Sequence, residues 1–571
     1  MSAHPQGATR AWKTQGVTST RNDSRSAGDV RPAPGRWGAP GDAPELSDKI
    51  RDYLSREVGI ASPWPPVEVD LSTIEPPRII AAAIDELRGI VGDIHCSTDP
   101  AIRWKAAGGA SYRDYVRQRG GETRLVPDVV VSPEDHDQVQ AVVAACAHRG
   151  IAIVPVGGGT SVVGGLATER ARVALSTDRM RTVLEVDEES HLVTVGAGIT
   201  GPAVEAILAA RGLTLGHYPQ SWQRASIGGY AATRSAGQAS TGYGRSDDMV
   251  ERLRMATPAG DWSVGHVPST AAGPDLLGIA IGSEGALGIL TEVTLRVRTA
   301  PGARRYEAWV FPSFDAGLTT FRDMAHSRVT ADVMRLSDES ETATTLLMSA
   351  PGGLAGRALD AYLSRRGISR DSAALAILGW EGIDDSIIDA RRGPVRDIVK
   401  RHGGVSLGRR PGESWRRHRF DGPHLRDALM DAGYLVETVE TATTWRNLPR
   451  LYAAMETALR DALGNDAASS GSKPYVMTHV SHVYETGASL YTTVIAVADQ
   501  SDPHGQWARA KTAVSDAIVA AGGTITHHHA VGRDHAPWLA DEIGDRGLDV
   551  LRAVKATLDP QGICNPGVLG L

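Results

Sequence analysis

The sequence has few cysteines, no long apolar run and no surplus of basic charge, and each absence removes a class of protein. Its three cysteines, Cys96, Cys146 and Cys564, lie far apart in 571 residues with no C-x-x-C pair. A disulfide framework is therefore not expected, and a reducing cytoplasm fits. No uninterrupted apolar stretch approaches the ~20 residues that a spanning helix needs. The first residues lack the apolar h-region of a secretory signal. A formal net charge of −7 leaves no electrostatic footprint for nucleic acid. No short-period repeat is visible, which argues against solenoids and propellers. Peripheral membrane contact leaves weak traces in sequence and stays open, as does a homodimer.

What is present is an ordinary globular composition, 42% hydrophobic and 22% charged, in a chain long enough for two or three domains. Residues 1–44 are rich in Gly, Pro, Ser and Arg and poor in apolar side chains, so a disordered tail is expected there. A helical segment is expected over 45–124, opening on ELSDKIRDYLSREVGI and continuing with the amphipathic stretch Arg78–Val91. Near Pro127 a βα alternation begins. PDVVV reads as a strand. Ser132-Pro133-Glu134-Asp135 reads as a helix start with Ser132 as N-cap. Val139, Val142, Val143 and Cys146 then make an apolar stripe at helical spacing, Gly150 ends the helix, and IAIVPV (151–156) is a second strand. After residue 300 the strand-rich rhythm gives way to longer helical stretches at Phe321–Met324, Val395–His402 and Leu448–Leu463.

The second strand runs into Pro155-Val156-Gly157-Gly158-Gly159-Thr160-Ser161. Consecutive glycines let backbone N–H groups approach an anion without an intruding Cβ, and the two hydroxyls add donors, so a pyrophosphate suits the loop. It is neither the dinucleotide fingerprint G-x-G-x-x-G nor a Walker loop, and alone it could be a tight turn. Two further small-residue stretches follow. One is Ala225-Ser226-Ile227-Gly228-Gly229-Tyr230 with Ala232-Thr233-Arg234-Ser235, and the other is Gly282-Ser283-Glu284-Gly285-Ala286-Leu287-Gly288-Ile289-Leu290. In this order they resemble the FAD domain of the vanillyl-alcohol oxidase (PCMH-type) superfamily. The resemblance implies that 155–161 holds the FAD pyrophosphate and that the later segments, with Gln220 and Ser221, line the ribityl chain and the flavin ring. Family members that attach FAD covalently use a His or Cys. Cys146, His148 and His191 are poorly placed for that, so a non-covalent flavin is expected.

Other candidates lie beyond residue 300. Arg335 and Arg426 offer planar, permanently charged forks suited to a phosphate or carboxylate, or they are surface ion pairs. His527-His528-His529, read as a strand, would present His527 and His529 to one side and His528 to the other. One imidazole could then act as a base while another orients it, or the run could be a core or solvated one. A metal held by His479, His482, His527 and His529 is the rival reading. On a strand, however, positions i and i+3 face opposite ways, and no metal is expected.

These stretches resemble more closely the alkyldihydroxyacetonephosphate synthase family, the ether-lipid branch of the superfamily. The matching pieces are Pro127-Asp128 with His136-Asp137, the 155–161 loop, Gly196–Gly201, Gly282–Leu290 and Arg335-Leu336. They continue with Glu440-Thr-Ala-Thr-Thr-Trp445, Gly487-Ala488 to Tyr491, His527–His529 with Val531-Gly532, and Asp559-Pro560 to Asn565. This resemblance implies an α+β chain with a PCMH-type FAD-binding domain of two α/β subdomains over 125–300. An α+β substrate (cap) domain over 301–571 would follow, its C-terminal segment returning to the flavin. It implies exchange of the acyl group of acyl-dihydroxyacetone phosphate for a fatty alcohol through a flavin N5 adduct. Tyr491 would be the general acid/base, His527–His529 would support proton movement, and Arg426 and Arg335 would serve the substrate and flavin regions. Tyr491 would need neighbouring cations to lower its pKa from near 10. Gln220-Ser-Trp-Gln-Arg-Ala-Ser226 departs from the acidic Asp-Ser-Leu-Glu-Phe-Ser-Thr of the eukaryotic form, so substrate preference is open there. A peroxisomal presequence is not evident, and the Arg- and Ala-rich composition suggests a bacterial protein. The alternative is an FAD-linked dehydrogenase or oxidase of a 2-hydroxy acid or alcohol, which the C-terminal LDPQGICNPG also resembles. Those enzymes carry Gly-Asp-Gly-Asn-Leu-His where this chain has Tyr-Glu-Thr-Gly-Ala-Ser-Leu-Tyr. A flavin-binding protein without catalysis is a third reading.

Overall fold

The computed structural model describes residues 34–39, 41–349, 354–464 and 473–571. The short parallel sheet is built first. The apolar triplet Val129–Val131 and the strands Ala152–Val156 and Arg172–Ser176 run parallel, with Arg172–Ser176 in the middle and Cys96–Ser97 added antiparallel at one edge. The intervening helix, His136–Arg149, buries the expected stripe of Val139, Val142, Val143 and Cys146, and Gly150 ends it in the left-handed region at φ 65°. Its start falls three residues later than the sequence suggested. The N-cap is Asp135, whose carboxylate accepts the Gln138 N–H, and not Ser132. An acidic cap is stronger here because it also meets the positive end of the helix dipole.

The chain then forms a five-stranded antiparallel sheet in the order Val183–Asp187, Leu192–Gly196, Ile289–Arg296, Val250–Thr257, Gly260–Val264. All three cysteines are buried and free.

The second half has the expected α+β make-up, with more strand than its helical stretches suggested. Its helices are present at Phe314–His326, Asp385–Arg401 and Leu448–Gly464, but they cover a seven-stranded antiparallel sheet, the largest in the protein. Its order is Val405–Gly408, Ala303–Phe311, Ala374–Gly382, Val333–Ser337, Tyr475–Val483, Gly487–Val497, Tyr434–Thr444. Several of these strands are buried on both faces. Ala374–Trp380 is buried at every position, so the apolar/polar alternation that signals a strand is erased.

The termini are tied into this body. Residues 1–33 of the expected tail lie outside the described residues. From residue 34 the chain packs. Arg36 pairs with Asp431 at 2.8 Å, and the Trp37 N–H donates to the Asp427 carboxylate at 2.9 Å. The Arg224 guanidinium lies 4.4 Å from the Trp37 ring. One large indole between two acidic anchors is enough to order a segment whose average composition reads as disordered. At the other end Cys564 bridges to Ile153 beside the parallel sheet. Lys555, buried in the helix Leu539–Leu558, donates to Asp559 Oδ2 at 2.6 Å and to the carbonyls of Ala286 and Cys564 at 2.6 and 2.7 Å. No helix among the described residues is long and apolar enough to cross a membrane.

Lys555→Met should lower unfolding stability by about 3 kcal/mol, because it leaves the Asp559 carboxylate buried without its cation. Urea denaturation followed by tryptophan fluorescence measures the change.

Candidate active site

A cavity of about 550 Å³ lies where the loops of the parallel sheet meet one face of the seven-stranded sheet. Its first wall is the glycine loop that leaves the strand Ala152–Val156. A Cβ on Gly158 would stand 2.1 Å from the Arg224 carbonyl oxygen, so only glycine lets the two backbones meet. Gly159 turns at φ +67° with open space where its Cβ would be. Thr160 and Ser161 continue the same wall, and Thr177, Tyr230 and Gln238 face it from neighbouring elements. The Thr177 hydroxyl, the Tyr230 hydroxyl and the Gln238 side-chain oxygen are buried without a protein partner. Orphaned polar oxygens around a glycine cradle fit a ligand that brings its own phosphates, hydroxyls and ring heteroatoms.

The opposite wall comes from the large sheet. Tyr491 lies between His479, whose ring stacks on it at 4.9 Å, and His528 at 6.0 Å, with His529 edge-on at 5.5 Å. Burial raises the pKa of the Tyr491 phenol, with Thr438 and Arg426 acting in the opposite direction. The expectation that cations would lower it is therefore corrected. Losing water costs the phenolate more than the nearby guanidinium returns, and the phenol stays protonated. Burial pushes His529 and His527 down to about 3, so both imidazoles are neutral at pH 7.

The histidine triplet is not a strand. Residues 527–529 form a bend in which the three successive backbone N–H groups turn to the buried Glu440 carboxylate, at 2.9, 2.9 and 2.8 Å to Oε1. His528 and His529 line the cavity. His527 does not, and its Nε2 is hydrogen-bonded to the Tyr484 hydroxyl at 2.6 Å.

The strand argument about His479 and His482 also fails. A bulge between Val480 and Val483 in Tyr475–Val483 resets the alternation, and both rings face the cavity. His482, His527 and His528 bring ring nitrogens within 4.8 Å of one another, a group that shares His482 and His527 with the metal set weighed from the sequence. The ring nitrogens of His482 and His527 are all hydrogen-bonded within the protein.

The two arginines separate in role. Arg335 donates to Glu341 at 2.8 Å and meets His479 Nε2 at 2.9 Å. Burial works against the Glu341 carboxylate, but Arg335 and His479 hold its pKa well below the usual range. Arg426, on the helix Gly422–Asp431, donates to the Ala110 carbonyl at 2.8 Å and lies over the Tyr115 ring at 4.8 Å. Its buried Nε has no partner.

Most of the expected cofactor residues line the cavity: Pro155, Gly157 to Ser161, Gln220, Ser221, Ser226, Ala232, Thr233, Ser235, Glu284, Gly285 and Leu290. Others stand behind its wall. Val156 is buried in the sheet, and Ala286, Leu287 and Ile289 are core. Gly288 packs closely against Met255 and the Ala256 carbonyl, and Arg234 pairs with Asp247. Cys146, His148 and His191 do not reach the cavity. Sequence reasoning missed Trp37, Thr177 and Asn565 as lining residues. Asn565 donates to the carbonyls of Gly165 and Glu284 at 3.0 and 2.8 Å, so it ties the C-terminal segment to the cradle. A polar residue whose work is to bridge distant backbones carries no local signature.

Burial raises the Glu284 pKa to about 7, although its carboxylate accepts the N–H groups of Val531 and Gly532 at 2.8 Å. A carboxyl group with a raised folded pKa stabilises below its unfolded pKa, and that contribution is lost as pH rises towards 7. In protein stripped of cofactor, Glu284→Gln should therefore gain stability relative to the wild type as pH rises from 4.5 to 7, approaching about 3 kcal/mol. Thermal melts at pH 5 and pH 8 check the sign.

Two family models cover most of the chain. One, an FAD binding domain, matches residues 127–264, and the other, the C-terminal domain of FAD linked oxidases, matches residues 300–569. An alkyldihydroxyacetonephosphate synthase from Dictyostelium discoideum is 30% identical, with 92% of this chain and 88% of the relative aligned. The glycolate oxidase subunit GlcD of Bacillus subtilis is 26% identical over 77% of this chain and 88% of the relative. A solved alkyldihydroxyacetonephosphate synthase superposes with a TM-score of 0.77 at 28% identity, covering 91% of this chain and 92% of that one. p-Cresol methylhydroxylase shares the fold at 16% identity, with a TM-score of 0.65 over 87% of this chain and 98% of that one. The cofactor is FAD, and the glycine cradle fits it. Gly158→Ala should yield folded but colourless protein, read as loss of flavin absorbance relative to 280 nm. By sequence and by structure alike, the chain belongs to the alkyldihydroxyacetonephosphate synthase family of FAD-dependent enzymes.

Proposed function

We propose that this enzyme exchanges the acyl group of acyl-dihydroxyacetone phosphate for the alkyl group of a long-chain alcohol. One observation carries the reading. A single cavity joins the glycine cradle, a guanidinium at Arg426 with an unpartnered Nε, a protonated Tyr491 flanked by imidazoles, and an apolar wall of Leu425, Leu429, Val436, Met477 and Ile495. An anion, a proton transfer site and a hydrocarbon surface are what a phosphorylated ketone carrying a fatty chain requires.

The exchange breaks the bond between C1 of the substrate and the acyloxy oxygen, and the fatty acid leaves with both its oxygens. The alcohol oxygen then bonds to C1, and its proton balances the acid released, with no net oxidation. Bound FAD, held non-covalently, supplies a ring that can accept and return electron density at that carbon between the two events. Arg426 holds the phosphate. Tyr491 starts protonated and donates to the departing oxygen. His529, kept neutral by burial, and His528 beside it accept the proton of the incoming alcohol and return it to Tyr491, which restores the starting state. Arg335 is committed to Glu341 and His479 and keeps that side of the cavity in shape.

The second reading is an FAD-linked oxidoreductase acting on a 2-hydroxy acid or alcohol. The convergence of His482, His527 and His528 and the likeness to a glycolate oxidase subunit favour it.

Anaerobic mixing with palmitoyl-dihydroxyacetone phosphate should bleach the flavin and release palmitate. Hexadecanol should restore the colour as the ether product forms. No bleaching with this substrate, but bleaching with 2-hydroxy acids or alcohols, would replace the first reading with the second. Tyr491→Phe should keep the flavin spectrum and lose about 10²- to 10⁴-fold in kcat. Arg426→Ala should raise KM for the phosphorylated substrate about tenfold to a hundredfold, measured by palmitate release.

A further inference from the structure

We propose that Glu440 is a positioning residue for His528 and His529, a buried carboxylate that sets where the two imidazoles stand against Tyr491. The inference deepens the exchange reading and rests on it for what the histidines do.

The segment that carries the triplet has no helix or strand of its own, so something else must fix its backbone. The strand Tyr434–Thr444 does so. Thr524 donates its N–H to the Ala442 carbonyl at 3.0 Å, and the Thr441 hydroxyl donates to the Thr524 carbonyl at 2.6 Å. Glu440 then takes over. Its Oε1 accepts from the Thr526 hydroxyl at 2.6 Å and from the three successive N–H groups of the triplet. Successive amides turned on one anion make a nest, and the nest dictates the backbone conformation that aims the three side chains.

The same carboxylate reaches the rings. Glu440 Oε2 lies 3.1 Å from His528 Nδ1 and 3.7 Å from His527 Nδ1. A carboxylate on Nδ1 keeps the His528 proton there and leaves Nε2 as the basic nitrogen. Glu440 is directly opposite Tyr491 in the antiparallel register, so both side chains project from one face of the sheet. The carboxylate and the phenol therefore share a rigid base, and the loop between them inherits its geometry from that base. Burial opposes the charge on Glu440, but His528, hydrogen-bonded beside it, holds its pKa well below the carboxylate range. Other groups facing the triplet include His479, His482 and Tyr484 from one strand and its end, His217, Arg245, Arg426, Lys511 from the helix Pro503–Ala520, and His535.

The test uses FAD-loaded Glu440→Gln, which keeps the shape and one acceptor oxygen but removes the charge. The expected variant is yellow, with the wild-type flavin spectrum and an unchanged KM for palmitoyl-dihydroxyacetone phosphate. Its kcat should fall about a hundredfold, within the range that proton transfer contributes. Histidine ¹⁵N NMR should show the His528 signal, identified by its loss in His528→Gln, moving away from the Nδ1-protonated pattern. Glu440→Asp should recover part of both. Wild-type kcat together with a wild-type His528 pattern in yellow Glu440→Gln would overturn the proposal. So would a loss of kcat that only tracks loss of FAD. If Glu440→Gln does not accumulate as yellow protein, Thr526→Val removes one donor of the nest and should show the same two changes at several-fold size; a wild-type result there overturns the proposal. If the wild-type enzyme releases no palmitate, the exchange reading fails, and the NMR comparison alone decides the role of Glu440.

Discussion

Two buried carboxylates hold one loop from opposite sides, and the geometry of the site depends on that clamp. Glu440, from the seven-stranded sheet, receives the amides of His527 to His529, and Glu284, from the glycine-rich segment before Ile289–Arg296, receives those of Val531 and Gly532. The loop between the clamps is therefore fixed to the cofactor cradle and to the large sheet at once. Burying a carboxylate is costly unless its lone pairs are met. The two are met differently. Glu440 has His528 beside it and stays ionised, whereas Glu284 has two backbone amides and only a through-space pull from Arg533, and its pKa rises to about 7.

The same economy of charge runs through the rest of the cavity. Tyr491 keeps its proton and His529 lacks one, both because water is excluded. A site built this way holds an acid and a base side by side without an ion pair between them. Such a pair can pass a proton in either direction without first breaking a salt bridge, which would suit the exchange proposed above.

The cradle was legible in the sequence because its chemistry is local. A strand, three glycines and two hydroxyls are consecutive, and the helix stripe from Val139 to Cys146 shares its period with the fold. The facing wall was only partly legible: the arginines and histidines stood out by residue type, whereas Tyr491 came only through family resemblance. The strand Ala374–Gly382 hides its alternation by burial on both faces, the bulge before Val483 turns His482 toward the cavity against strand parity, and the triplet owes its shape to a glutamate 87 residues away. Trp37 was lost in a compositionally disordered stretch because a single anchoring side chain does not change an average.

Arg335 and Arg426 show why residue type alone could not divide the labour on that wall. Each is an arginine within a few residues of an acid, and from sequence each is equally suited to an anion. In the fold, Arg335 faces Glu341 and His479, so its charge is answered inside the protein and a second anion would have to displace a buried carboxylate. Arg426 faces a carbonyl and an aromatic ring, which orient a guanidinium without neutralising it. Apart from the through-space pull of Asp427, that guanidinium has no ion pair among the described residues, and a bound phosphate would supply one. Under the exchange proposed above, affinity for a charged headgroup would reside at Arg426, while Arg335 would hold the shape of the pocket.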